Sequence, residues 1–184
     1  MKAELKRPKW YAADPTEETI EALGLLNGIW REAATRFAAV RSVQEAKGAV
    51  TIFGIQKHIN QVIDEKFQAG GWEGSNSRYR KADTWVRITF RHQMSLGSEF
   101  FDAIKMTGKE GVKQSLLMAA SSEFLKVISP RDAGALTSFE KLAHQLAMLE
   151  GATEVPLILG CLSPVSALSE PVRELVYGPR LQGD

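Results

Sequence analysis

The stretch 81-KADTWVRITFRHQMSLGSEFFDAIK-105 decides how the chain folds. Near its start stands an acid, Asp83, and the residues that follow alternate. Val86, Ile88 and Phe90 fall on one side of a period of two, while Asp83, Trp85, Arg87, Thr89 and Arg91 fall on the other. A period of two is that of a β-strand with two unlike faces, so a strand is predicted over 83–92. Beyond 94-MSLGS-98 the spacing becomes helical, predicting a helix over 99–109 with Phe100, Phe101 and Ile104 buried and Ser98 as its cap.

The pattern continues outward on both sides. Downstream, 112-VKQSLLMAA-120 has the continuous apolar character of a strand covered on both faces. A short helix over 122–128 ends at Pro130, and a longer one over 132–150 carries Leu136, Phe139, Leu142, Leu146 and Leu149. The run 154-EVPLILGCL-162 is another buried strand, followed by a proline-punctuated tail. Upstream, 73-EGSNSRYRKA-82 reads as a polar loop. The segment 51-TIFGIQKHINQVIDEKFQAGG-71 reads as a helix ended by its glycine pair, with Ile52, Ile55, Ile59, Val62, Ile63 and Phe67 at helical spacing. A first helix follows Asp14-Pro15, with Glu17 and Glu18 in its first turn, and continues to about residue 40. This order predicts an α/β fold, a central mixed β-sheet flanked by helices, with long helices at the N-terminus.

The 184 residues are expected to form a single domain, 1–184, with a basic N-terminal arm over 1–14 and a C-terminal tail over 163–184. A content of 44% hydrophobic and 24% charged residues is that of a water-soluble globular chain. No apolar run approaches the roughly 18 residues that span a bilayer. The segment MKAELKRPKWYAADP lacks the apolar centre of a secretory signal, so a cytoplasmic location is expected. The single cysteine, Cys161, excludes an internal disulfide and sits in an apolar run, where it reads as a structural thiol.

The net charge of +1 is unevenly spread. Lys2, Lys6, Arg7 and Lys9 crowd the first ten residues, and Arg78, Arg80, Lys81, Arg87 and Arg91 crowd 73–92, whereas acids dominate from 132 onward. Such asymmetry points to a side that faces a polyanion. No glycine-rich phosphate loop and no nucleophile elbow occurs. His58, His92 and His144 lack companions at zinc spacing.

The ordered features 56-QKHINQVIDEKFQAGGW-72, an acid heading a strand, a helix, 112-VKQSLLMAA-120 and 155-VPLILG-160 carry a resemblance. Over about 45–162 the chain resembles the BglII/BamHI-type restriction endonucleases, a branch of the PD-(D/E)xK nuclease fold. The resemblance implies a restriction-endonuclease-like core that acts on DNA, Mg²⁺ as the metal, and a homodimer. Gly71-Trp72 matches the turn before the family's first acid, and Asp83 matches that acid. Thr89 then stands where the family has Glu, and Arg91 where it has Gln, Glu or Lys. Threonine is a weak ligand for a hard cation, and an arginine beside a metal opposes it electrostatically.

The reading adopted is therefore a nuclease-like DNA-binding protein that has lost catalysis, serves a restriction, defence or mobile-element system and needs no cofactor. Arg78, Arg80, Lys81, Trp85, Arg87 and Arg91 are its expected DNA contacts, the guanidiniums on phosphates and the aromatic ring on bases or sugars. Two alternatives stay open. One is an active Mg²⁺-dependent endonuclease in which Asp64 or Glu65 reaches in from the upstream helix, the rebuilt site being Asp83, Glu65 and Glu99 with Asp83 as metal ligand. The other is a structural or interaction subunit that touches no DNA, with 162-LSPVSALSEPVRELVYGP-179 as its partner-binding element. The plainest account of the strand is that Arg87 and Arg91 simply pair with Asp83, Glu99 or Asp102.

Overall fold

The computed structural model describes residues 1–6, 14–46, 55–108, 111–129, 132–148 and 156–163. In chain order the elements are β1 (Lys2–Lys6), α1 (Glu17–Leu26), α2 (Ile29–Ala46), α3 (Gln56–Ala69), β2 (Glu73–Ser75), β3 (Arg78–Lys81) and β4 (Thr84–Thr89). A 3₁₀ turn at Gln93–Ser95 then leads into α4 (Leu96–Thr107), followed by β5 (Gln114–Ala120), α5 (Ser122–Ile128), α6 (Phe139–Ala147) and β6 (Leu157–Ser163). The strands form one six-stranded sheet in the order β1-β6-β5-β4-β3-β2. β4, β5 and β6 run parallel, and β1, β3 and β2 pair antiparallel, so the sheet is mixed.

The strand phase sorts the side chains between two cores. Val86, Ile88, Leu116, Met118, Ile158 and Leu162 pack with α1, α2, α3 and α5 on one face. Trp85, Leu117, Ala119, Leu157, Leu159 and Cys161 pack with α4 and α6 on the other. Each fully buried aliphatic or aromatic side chain contributes about 1.5–3 kcal/mol of apolar burial, so a sheet covered on both faces is strongly held at its centre. The architecture is the α/β class expected, a central mixed sheet flanked by helices.

Several local expectations are corrected. The first long helix is two. α1 is capped by Thr16, whose side chain accepts from the Thr19 N–H, and the chain breaks at Asn27-Gly28. Gly28 has φ +81°, which a glycine adopts without strain, and Asn27 Oδ1 accepts from the Ala3 N–H at 3.1 Å. The expected loop over 73–82 holds a β-hairpin. Its two-residue turn, Asn76-Ser77, has φ of 53° and 65°, the mirror-image turn whose twist suits paired strands. Five residues of the expected basic arm form the edge strand β1.

The downstream elements shift as well. In α4, Phe100 is buried but Phe101 is largely exposed, and Ser98 donates to the Ser95 carbonyl rather than capping the helix. α6 starts at Phe139 after the Ser138 cap, because 132–138 form turns and Leu136 bridges to His92. The helix reading at 51–54, the end of the 132–150 helix at 149–150, and the tail from 164 lie outside the described residues.

Candidate functional site

β4 is a central strand with both faces covered, but its continuation is not. Just past its C-terminal end, between α3 and the β2–β3 turn, lies a cavity of about 280 Å³. α3 contributes Gln56, Asn60 and Asp64 to one wall. The turn and β3 contribute Asn76, Ser77 and Arg78, and the end of β4 contributes Arg87, Ile88, Phe90 and Arg91. The carboxyl end of parallel strands is where open α/β sheets commonly place ligand crevices.

The rear of this cavity is organised by one buried ion pair. The Arg87 Nε and Nη2 both donate to the Glu99 carboxylate, a bidentate pair in which Glu99 is fully buried and Arg87 is 5% exposed. Arg87 Nη1 donates to the carbonyls of Asn76 and Ser77 at 3.1 and 3.3 Å, so the same guanidinium holds the hairpin turn. Glu99 sits in the first turn of α4, where the helix dipole favours a carboxylate. Arg91 Nη1 lies 3.5 Å from Glu99 but is 55% exposed, and Arg78 Nη2 donates to Asp102 at 2.6 Å while half exposed. Counted as a group, Arg78, Arg87 and Arg91 face Glu99, Asp102 and Asp64, so the cluster is not a strongly basic patch. What sets it apart is geometry: Glu99 is committed to Arg87 inside the protein, while the cations Arg78 and Arg91 reach solvent.

Opposite them, the Tyr79 hydroxyl donates to Asp64 Oδ1 at 2.5 Å, and its ring stacks on Phe67 at 4.1 Å. Burial, and then the hydrogen bond to Asp64, push the Tyr79 hydroxyl well above the usual phenol range. It therefore stays a proton donor that fixes Asp64. The Oδ1 of Asn60 is buried and has no hydrogen-bond partner among the described residues.

The residues expected from the sequence are only partly brought together. Arg78, Arg87 and Arg91 meet at the cavity, but Arg87 is an internal strut rather than an exposed contact. Trp85 is buried in the second core, so its ring is not offered to a base. Arg80 and Lys81 lie at the far end of β3 from the turn, and Lys81 Nζ is bound to Glu21 and to the Gly70 carbonyl. Asp83 stands before the first residue of β4. At about 3.3 Å per residue it is roughly 20 Å along the strand from Phe90. Its carboxylate pairs with Lys113 at 2.9 Å.

The expected catalytic trio Asp83, Glu65 and Glu99 is not assembled. Glu65 pairs with Arg36 on α2, Glu99 with Arg87, and Asp83 with Lys113. Among the described residues no three of His, Cys, Asp and Glu gather as metal ligands do. Thr89 is fully buried, and its Oγ1 accepts from the Arg91 N–H at 3.3 Å. A cavity with one carboxylate and three guanidiniums does not fit a divalent cation, which needs anionic oxygens.

The sequence reading missed Gln56 and Asn60, and weighed Asp64 only as an acid that could reach in from the upstream helix. Their signal is a polar residue at every fourth position of α3, along the border of the apolar face formed by Ile59, Val62, Ile63 and Phe67.

No protein-family model matches the chain, and no curated protein matches it. Among solved structures, restriction endonuclease BglII complexed with a DNA 16-mer is similar, with a TM-score of 0.47 and 18% sequence identity. The match covers 58% of this chain and 54% of that one, so the chain spans about half the length of the endonuclease it matches. A likeness at that level assigns no residue and no activity to this chain.

Proposed function

We propose that this chain is a nuclease-like DNA-binding protein that contacts phosphates through Arg78 and Arg91 and does not hydrolyse them. The observation that carries this reading is the chemistry at the end of β4. Two solvent-reaching guanidiniums flank a cavity whose rear carboxylate is fully occupied by a third. The exposed pair Arg78–Asp102 is worth at most about 1 kcal/mol, so a phosphate competes for Arg78 at small cost. A guanidinium also meets a phosphate with two parallel N–H groups, which gives direction as well as charge.

The test is fluorescence anisotropy with a labelled duplex across a salt series, with and without EDTA. The expected result is binding that weakens steeply with salt and is the same with Mg²⁺ or EDTA. Arg91→Ala and Arg78→Ala should each lower the slope of log affinity against log salt by about one. Plasmid cleavage in Mg²⁺ that disappears in Asp83→Ala would replace this reading with the active-enzyme one. Affinity unchanged in the Arg78→Ala/Arg91→Ala double variant would remove its basis.

A further inference from the structure

Phosphate contacts alone do not account for the α3 wall. Gln56, Asn60 and Asp64 recur every fourth residue, so they stand one above another on a single helix face, and all three line the cavity. A carboxylate there would repel a phosphate, and two carboxamides add nothing to a cation site. Carboxamides and carboxylates are instead the groups that read the hydrogen-bonding edges of bases. Two features show that this wall is not satisfied from within the protein. Among the described residues the buried Oδ1 of Asn60 has no partner, a cost native proteins rarely carry without a reason. Asp64 accepts the Tyr79 hydroxyl at Oδ1, while its Oδ2 has no hydrogen-bond partner among the described residues. The Asn60 oxygen lacks an N–H among the described residues, and Asp64 keeps an oxygen that can accept one.

We propose that the cavity takes one unpaired nucleotide, its phosphate on Arg78 and Arg91 and the edge of its base on Asn60 and Asp64. Ile88 and Phe90 add apolar lining to the cavity. The volume of about 280 Å³ lies just under the usual range of ligand pockets, about 300–1,000 Å³, and suits a nucleotide rather than a base pair. Two acceptors favour a base whose amino group brings two N–H bonds, so cytosine, adenine or guanine is preferred to thymine, which has the N3–H alone. A single-stranded end or extruded base delivers such an edge, and so does a free mononucleotide. The inference rests on the DNA-binding reading and names what that site selects.

The experiment compares the full-length chain on a blunt duplex and on the same duplex with short cytosine, thymine or abasic overhangs. The cytosine overhang should bind about 5-fold or more tighter than the blunt duplex, the gain of one good base contact, and the thymine and abasic overhangs should lose most of that gain. In Asn60→Leu the ratio of overhang to blunt affinity should fall toward one, while the melting temperature holds or rises because an unpaired buried acceptor has been removed. A ratio near one for the unaltered chain, with salt-dependent binding intact, overturns this inference and leaves the DNA reading standing. So does a folded Asn60→Leu variant that keeps the full gain. No salt-dependent binding to any probe overturns both. Where the gain is present, displacement by free dCMP assigns the site to mononucleotides, and failure of dCMP to displace assigns it to strand ends.

Discussion

Arg87 shows how one residue's role turns on what its neighbours do with it. In a half-exposed strand it would be a phosphate contact; here it is a buried cation with four hydrogen bonds, two to Glu99 and two to turn carbonyls. Removing one partner of a buried pair leaves the other charge uncompensated, at a cost of about 3–5 kcal/mol. Glu99→Gln and Arg87→Leu should each lose about that much in urea denaturation. The double variant should lose clearly less than the sum, and strictly additive losses would show that the pair does not act as a unit. Of the pairings open to Arg87 from the sequence, Asp83, Glu99 or Asp102, the structure selects Glu99. That choice could not be read from the sequence, because all three acids are near in sequence and the packing of α4 decides which is within reach.

At the scale of elements, the ends of helices matter more than their middles. α5 and α6 are fastened where Glu140 Oε2 accepts both the Ser122 N–H and the Ser122 hydroxyl, at 2.9 and 2.7 Å. Burial pushes the Glu140 carboxyl up, but hydrogen bonds from Ser122, Ser138 and the backbone outweigh it and hold the carboxyl below the usual carboxylate range. A depressed carboxyl favours the folded state above its unfolded pKa of about 4.3, and that stability is lost as pH falls through the folded value. Denaturation midpoints measured from about pH 6 down to pH 3 should therefore decline less steeply in Glu140→Gln. At neutral pH the variant should cost no more than about 1 kcal/mol, since the group is reached by solvent. α3, by its helical periodicity, and β5 and β6, by their continuous apolar runs, were legible from the sequence. The β2–β3 hairpin was not: it is short and polar, and its turn is Asn-Ser rather than the glycine-bearing pairs that announce such turns.

At the scale of the whole molecule, the sheet is closed at one edge by β1, which pairs along its full length with β6 from the far end of the described chain. Met1 and Ala3 are buried there, and Asn27 secures the Ala3 N–H. Deleting residues 1–6 should lower the urea midpoint and expose the apolar β6 as a free edge. Such an edge templates pairing with other chains, so light scattering should reveal association. A truncated chain that stays monodisperse with an unchanged midpoint would show that β1 is dispensable.

The sequence by itself determined the α/β class, the two-faced phase of β4 and the helical face of α3, because periodicity is local and written residue by residue. Only the tertiary structure decided that Asp83, Glu65 and Glu99 stay apart, each with its own cation, and that Trp85 belongs to a core. Only the tertiary structure, too, set the polar ladder of α3 opposite Arg78 and Arg91. The reason is physical: a site is a set of distances between elements remote in sequence, and those distances follow from how two cores pack against one sheet.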